Sequence, residues 1–162
     1  MPQVIAYTDG GCRGNPGLGA WAYVLINTSS GHALARAGAE QGTTNNRMEL
    51  SAVLMALRAL RNHNTDLLIR SDSKYTIDSC ATWMAGWKAR GWRRPTGPLK
   101  NVDILKDLDA ELAKHAVSFE WVKGHAGDPG NEFVDGLLNE SMDAAQAGGD
   151  GALERRLEWQ LR

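Results

Sequence analysis

Four acidic residues with the chemistry of metal ligands are spread along the chain. They lie where strands are expected to end or helices to begin, and the long segments between them place them on four different elements: Asp9, Glu49, Asp72 and Asp135. Carboxylate oxygens are the ligands that hard divalent cations prefer. We therefore expect the four side chains to converge on one site when the chain folds.

Each of the four acids also has an ordinary structural explanation. Asp9 is followed by glycine, a pair that favours a hairpin turn. Glu49 lies three positions after Asn46, as in a capping box, and Asp72 between two serines could cap another helix. Asp135 could favour a helix N-terminus through the macrodipole. Taken singly, each residue fits its structural explanation, whereas the recurrence at element ends favours a shared site.

A histidine is the candidate for proton transfer. His125 lies in the glycine-rich stretch VKGHAGDPGNE, between the last predicted strand and the last predicted helix. An imidazole in such a loop is expected to titrate near neutral pH, as a proton shuttle must. The alternative is an ordinary exposed histidine.

One segment combines tryptophans with positive charge. Residues 82–102 contain five basic residues and no acidic one, whereas the rest of the chain has thirteen basic and nineteen acidic residues. Indole rings beside cations suit a nucleic-acid backbone. The alternative is a solvated charge cluster over a small satellite core, since Trp83 and Trp87 share one helical face. We expect some rings to point inward and one or two outward.

Composition restricts the class of protein. The 162 residues are 43% hydrophobic and 23% charged, which fits one compact domain with its own core. No apolar run is long enough to span a membrane, and the N-terminus lacks the pattern of a secretory signal. Two cysteines, Cys12 and Cys80, are too few for a disulfide framework or a zinc site, so we expect a reducing cytoplasm.

Hydrophobic periodicity predicts three strands followed by alternating helices and strands. The strands are predicted at 4–8, 21–26, 32–39, 67–71 and 118–122, and the main helices at 50–60, 102–112 and 131–145. This order indicates a mixed sheet with helices on its faces, in which ligands gather at the carboxyl ends of strands. Asp9 and Asp72 both follow predicted strands.

Several consecutive motifs carry a family resemblance. TDGGCRGNPG, TTNNRMEL, SDSKY, the tryptophan-rich basic segment through KNVDILKDLD, and WVKGHAGDPGNEFVD resemble bacterial ribonuclease HI in order and spacing over residues 4–141. The resemblance implies an α/β, RNase H-like fold with a five-stranded mixed sheet, in which three antiparallel strands precede βαβ units and helices cover both faces. It also implies an RNase H domain at 1–146 with a basic protrusion at 82–101, here called the basic arm. Residues 147–162 would form a charged tail of uncertain structure, with ERRLEWQLR either a short docked helix or disordered.

The resemblance also implies an activity. The protein would be a monomeric cytoplasmic endoribonuclease that hydrolyses the RNA strand of RNA–DNA hybrids and leaves 5′-phosphate and 3′-hydroxyl ends. Asp9, Glu49, Asp72 and Asp135 would bind two Mg²⁺ ions together with the substrate, for which Mn²⁺ could substitute. His125 would assist catalysis. The expected partner is the hybrid duplex, with no membrane.

Further residues match family positions that contact nucleic acid. Asn15, Thr44 and Asn45 would lie near the backbone, the first two in a pocket for a DNA phosphate. The arm would hold the DNA strand through Trp83, Trp87, Lys88, Arg90, Trp92, Arg93, Arg94 and Lys100. This arm departs from well-known members in having fewer lysines and in carrying Pro95, Gly97 and Pro98, so we expect weaker hybrid affinity. Leu105 stands where some relatives have tryptophan.

Two other classes of protein remain open from the sequence. A non-catalytic module that binds hybrids would need the aromatic and basic segment but not four acids. Another nuclease or a strand-transfer enzyme could use the same fold, because a fold does not determine a function.

Overall fold

A single six-stranded sheet forms the centre of the molecule in the computed structural model, which describes residues 1–160. The strands are β1 (Val4–Arg13), β2 (Gly17–Asn27), β3 (His32–Thr43), β4 (Asp66–Ser71), β5 (Ala116–Trp121) and β6 (Leu153–Glu158). Their spatial order is β5-β4-β1-β2-β3-β6. β1, β2 and β3 form an antiparallel meander, β4 and β5 run parallel to β1, and β6 pairs antiparallel with β3.

Helices cover both faces of the sheet. They are α1 (Asn45–Arg58), α2 (Lys74–Asp78), α3 (Met84–Ala89), α4 (Val102–Leu112) and α5 (Pro129–Gln146), with a π-helical segment at Ser79–Trp83 between α2 and α3. α1 and α4 pack on one face in a core that includes fully buried Leu50, Leu57 and Leu105, and α5 packs on the other face. Within residues 1–160, no helix is both long and apolar enough to cross a bilayer.

The two long helices begin at side-chain caps. Thr44 accepts a hydrogen bond from the main-chain nitrogen of Arg47 at 3.2 Å and begins α1. Asp128 accepts hydrogen bonds from the next two available main-chain nitrogens and is followed by proline at the first position of α5. Both arrangements satisfy N–H groups that would otherwise lack a partner.

The sixth strand corrects the prediction of five. β6 forms where the tail was expected to be a short docked helix or disordered, so that expectation is wrong for the described residues up to Gln160; Leu161 and Arg162 lie outside them. Leu153 and Leu157 pair opposite Ala37 and Ala33 and pack into the α5-side core. A spacing of four fits one face of a helix and one face of a strand equally well, so the pattern alone could not decide. The boundary between the RNase H domain and the tail, expected after residue 146, stays a prediction.

Candidate functional site

Parallel pairing between β1 and β4 brings two of the acids together. The last residues in register are Thr8 and Ser71, so Asp9 and Asp72 are the next residues of two neighbouring strands. They therefore lie at the carboxyl end of the parallel pair, where ligands gather in such sheets. β1 continues past Asp9, which pairs opposite Ala22 of β2. The hairpin-turn explanation of Asp9 is thus wrong, as is the prediction that the strand ends there.

A close approach of α1 to β1 adds the third acid. At Gly10 a Cβ atom would lie 2.3 Å from the carbonyl carbon of Met48 and 2.4 Å from the nitrogen of Glu49, so only glycine allows this contact. Because the N-cap is Thr44, Glu49 lies beyond the capping-box position. Ligand oxygens of Asp9, Glu49 and Asp72 all lie within 4.8 Å of one another.

The environment of Asp9 and Glu49 disfavours their negative charge. Burial, followed by the charge of Asp72, raises the pKa of Asp9 to about 7. Burial and the neighbouring Asp9 raise the pKa of Glu49 well above its usual range. One oxygen of Glu49, Oε2, is buried without a hydrogen-bond partner among the described residues. An all-oxygen ligand set, excess negative charge and an unpaired buried oxygen together fit a divalent cation.

The fourth acid lies beside this group. Asp135 is half-buried on α5, and its charge contributes to the raised pKa of Asp9. It is not among the three acids whose oxygens lie within 4.8 Å of one another. Asp135 is the seventh residue of α5, and the effect of the macrodipole on charges is largely limited to the first turn. A favourable interaction with the helix macrodipole therefore does not explain Asp135.

Asn131 is a site residue that the sequence interpretation missed. Its side chain is 2% exposed, and its Nδ2 donates a hydrogen bond to Oδ2 of Asp72 at 3.2 Å. The indole nitrogen of Trp121 donates to the main-chain oxygen of Asp72 at 3.1 Å. Both bonds restrict the orientation of Asp72. The available signal was spacing, because Asn131 precedes Asp135 by four positions and so shares its helical face.

The loop before α5 lies against the acid cluster. A Cβ atom at Gly124 would be 2.9 Å from Oδ2 of Asp72. The next residue, His125, is exposed and has a φ angle of 56°, in the left-handed region that non-glycine residues rarely adopt. The imidazole is thus attached one residue from the cluster and open to solvent, as a proton-transfer group requires.

The predicted phosphate-contact residues meet at the N-terminus of α1. Oδ1 of Asn15 accepts a hydrogen bond from the main-chain nitrogen of Asn45 at 3.2 Å, and Thr44 is the N-cap of the same helix. Asn15 belongs to the turn between β1 and β2, so two distant segments form this surface.

The tryptophans of the basic arm divide as expected. Trp87 and Trp92 are half-buried against the α1-side core, whereas Trp83 is 43% exposed and its ring centroid lies 5.8 Å from that of Trp87. The prediction of inward and outward rings is confirmed.

The cations of the arm also differ in their contacts. Arg90, Arg93 and Lys100 are exposed. Lys88 pairs with Asp109 of α4 at 2.8 Å, and Nε of Arg94 donates to the carbonyl of Pro98.

Sequence comparison places the chain among known proteins. The profile of the RNase H family matches residues 1–143. The chain belongs to the RNase H family. It is 47% identical to a ribonuclease H of Alcanivorax borkumensis, over 88% of this chain and 93% of the relative. A ribonuclease H of Ralstonia nicotianae is 48% identical over 90% of this chain and 95% of the relative. The resemblance to ribonuclease HI is confirmed at the level of the family.

Solved structures agree with this RNase H assignment. LC9-RNase H1, described as a type 1 RNase H with the type 2 active-site motif, superposes with a TM-score of 0.81 at 28% identity, over 96% of this chain and 78% of that chain. An RNase H1 from the halophilic archaeon Halobacterium salinarum gives a TM-score of 0.65 at 26% identity, over 86% and 97%. β6 lies beyond the residues that the RNase H profile matches.

Proposed function

We propose that this RNase H family member is an endoribonuclease that hydrolyses the RNA strand of RNA–DNA hybrids and leaves 5′-phosphate and 3′-hydroxyl ends. The observation that carries the proposal is the group of three carboxylates, Asp9, Glu49 and Asp72, with oxygens within 4.8 Å of one another. The raised pKa values of Asp9 and Glu49 favour a bound cation, and membership of the family supplies the class of substrate.

Asp9, Glu49 and Asp72, with Asp135 beside them, would hold Mg²⁺, two ions with substrate bound and Mn²⁺ as a substitute. When bound, such ions supply Lewis-acid stabilisation and a nucleophile at neutral pH. Asn131 holds the Asp72 carboxylate in one orientation through its hydrogen bond. Buried Glu49 provides an oxygen, Oε2, that makes no hydrogen bond to the described residues 1–160 and so is available to a cation.

His125 would transfer a proton to or from the reacting groups or the leaving product. Its exposure allows exchange with solvent, and its loop position places it one residue from the contact with Asp72. General acid–base assistance is typically worth about 10²–10⁴ in rate. The histidine therefore increases turnover, whereas the carboxylates are essential.

Recognition of the two strands would use different chemistry. The 2′-hydroxyls of RNA lie in a wide, shallow minor groove and distinguish it from DNA. The DNA strand would be held through phosphates, at the N-terminus of α1 by Asn15, Thr44 and Asn45, and along the arm by its cations and Trp83. Sequence preference should be weak because these contacts carry little information about bases.

A cleavage assay tests the proposal. A hybrid labelled on its RNA strand is incubated with the protein in Mg²⁺, with parallel reactions in chelator and with duplex DNA or duplex RNA as substrate. Metal-dependent cutting limited to the RNA of the hybrid is the expected result. Cutting of duplex DNA would instead indicate another nuclease of the same fold.

The Asp9→Asn variant separates the enzyme from a binding module. An enzyme loses cleavage and keeps its affinity for the hybrid, whereas a binding module has no cleavage to lose. We also propose a cytoplasmic location, which the free thiols of Cys12 and Cys80 support, and a monomeric state.

A further inference from the structure

Arg47 connects three elements at the base of the basic arm. Its guanidinium donates two hydrogen bonds to Asp103 of α4, at 3.1 and 2.7 Å, and a third to Oδ1 of Asn101 at 3.4 Å. Its Nε lies 3.8 Å from Oε1 of Glu40 on β3. The side chain is 29% exposed, and two parallel bonds between guanidinium and carboxylate define one geometry.

Asn101 is the point where the arm returns to the body of the protein. It has a φ angle of 61° and is the N-cap of α4, but its side chain does not cap that helix and instead accepts from Arg47. At the opposite end of the arm is the π-helical segment Ser79–Trp83, a geometry that is rare and often found at functional sites. Irregular backbone thus lies at both ends of the arm.

The arm is also attached to α4 by an ion pair. Lys88 pairs with Asp109 at 2.8 Å, nearly two turns along α4 from Asp103. The arm therefore contacts α4, and Arg47 joins the N-terminal end of α4 to the first turn of α1. The same turn of α1 begins at Thr44 and Asn45, the surface assigned above to a DNA phosphate.

We propose that Arg47 is a positioning residue that sets the distance between two contacts with the DNA strand, the N-terminus of α1 and the basic arm. The inference rests on the proposed function. Both contacts must reach phosphates of one strand at the same time. Two weak contacts with one strand raise the affinity for the hybrid only if both can form at once. A fixed distance between the α1 N-terminus and the arm makes this possible.

A second ion pair between the same helices provides a matched control. Arg58, the last residue of α1, lies 3.3 Å from Asp107 of α4. This pair also joins α1 to α4, but it lies at the opposite end of α1 from the phosphate surface. A role of Arg47 limited to holding the helices together would be shared by Arg58, whereas a role in placing the arm would not.

The experiment compares Arg47→Met with Arg58→Met in steady-state cleavage of a hybrid, with KM measured over a series of salt concentrations. Arg47→Met should raise KM about tenfold, within the range of coupling between contacting groups, and change kcat by less than about twofold. The dependence of log KM on log salt should become shallower, because fewer phosphates are contacted at once. Arg58→Met should leave KM and its salt dependence unchanged.

A double-mutant cycle gives a second test. If Arg47 acts through the arm, Arg47→Met should raise KM much less in an Arg93→Ala background, where one arm cation is already absent. Equal effects in both backgrounds, equal KM changes for Arg47→Met and Arg58→Met, or a loss confined to kcat would each overturn the inference. Should Arg47→Met fail to fold, Asp103→Asn against Asp107→Asn asks the same question. A wild-type protein that does not cleave hybrids would refute the proposed function itself.

Discussion

At the scale of single residues, the site combines acids that burial and mutual repulsion disfavour in their charged form. The pKa of Asp9 is raised to about 7 in the folded protein and would be near 3.8 in the unfolded chain. The folded state consequently binds the proton more tightly. Stability from this group is fully present below pH 4 and is lost as pH rises towards 7.

The Asp9→Asn variant should therefore stabilise the metal-free protein at high pH. We expect a gain on the order of 2 kcal/mol in the free energy of unfolding at pH 8, and little gain at pH 4, since the variant cannot ionise. Urea denaturation in chelator at both values measures it. Equal gains at the two pH values would show that repulsion at Asp9 is not the cause.

The hydrogen bond from Asn131 should matter for metal binding. Asn131→Ala removes the donor to Oδ2 of Asp72, and loss of such orienting partners typically costs about 10- to 100-fold in metal affinity or activity. The Mg²⁺ concentration that gives half-maximal activity should rise by about the same factor. Asn139→Ala is the control on the same helix, because Asn139 donates to a main-chain carbonyl of Asp135 instead of a carboxylate. An equal shift in the control would contradict the orienting role.

His125→Ala should slow turnover without abolishing it. Loss of a general acid or base lowers kcat by about 10²–10⁴, and the carboxylate cluster remains intact in this variant. Single-turnover and steady-state rates on one hybrid distinguish proton transfer from product release. A complete loss of measurable cleavage would contradict this division of roles.

At the scale of elements, the sequence predicted that the first five strands occur along the chain in the observed sequence of elements. It also predicted the bounds of α4, which are Val102–Leu112 in the structure. An amphipathic helix such as α4 buries one face, so its apolar residues recur at the helical period and can be recognised in the sequence. Asp9 and Asp72 could be assigned to one site because both follow predicted strands, and ligands gather at the carboxyl ends of strands in such sheets. Glu49 was harder to place, since its position depends on the contact between α1 and Gly10, which no local pattern reveals.

The missed features at this scale share a physical cause. The contribution of Asn131 depends on how α5 rotates against the sheet, and the attachment of the arm depends on ion pairs between distant residues, such as Lys88 with Asp109. Tertiary contacts determine both, and local spacing could show only that Asn131 shares a helical face with Asp135. The four-residue spacing placed Trp83 and Trp87 on one helical face and so could not decide which ring would be exposed, which is Trp83 in the structure.

The exposed cations of the basic arm should determine how strongly hybrid binding depends on salt concentration. Arg90 and Arg93 are exposed, and no ion pair involves them among the described residues. Each phosphate contact that is lost should reduce the magnitude of the slope of log affinity against log salt by about 0.9 for a duplex. Binding of hybrid to Asp9→Asn, with and without Arg93→Ala, measures the slope. An unchanged slope would exclude a phosphate contact at Arg93.

At the scale of the whole molecule, the C-terminal segment packs against both the sheet and α5. Trp159 follows β6, and its ring stacks with Tyr7 of β1 at 6.3 Å and meets Phe133 of α5 edge-on at 5.5 Å. Its main-chain nitrogen donates to Gly31 at 2.7 Å. α5 carries Asn131 and Asp135, so residues beyond the part of the chain that the family profile matches help to position a helix of the candidate site.

Trp159→Ala should consequently reduce the stability of the whole domain. Truncation of a half-buried tryptophan with two aromatic neighbours should cost about 1–3 kcal/mol, somewhat less than in a fully buried core. Urea unfolding followed by circular dichroism measures the loss. Arg155→Ala, an exposed position on β6, should change stability by less than about 0.5 kcal/mol. If both variants unfold like the wild type, the tail is not docked in solution, and hydrogen exchange at the β3 edge should then be fast.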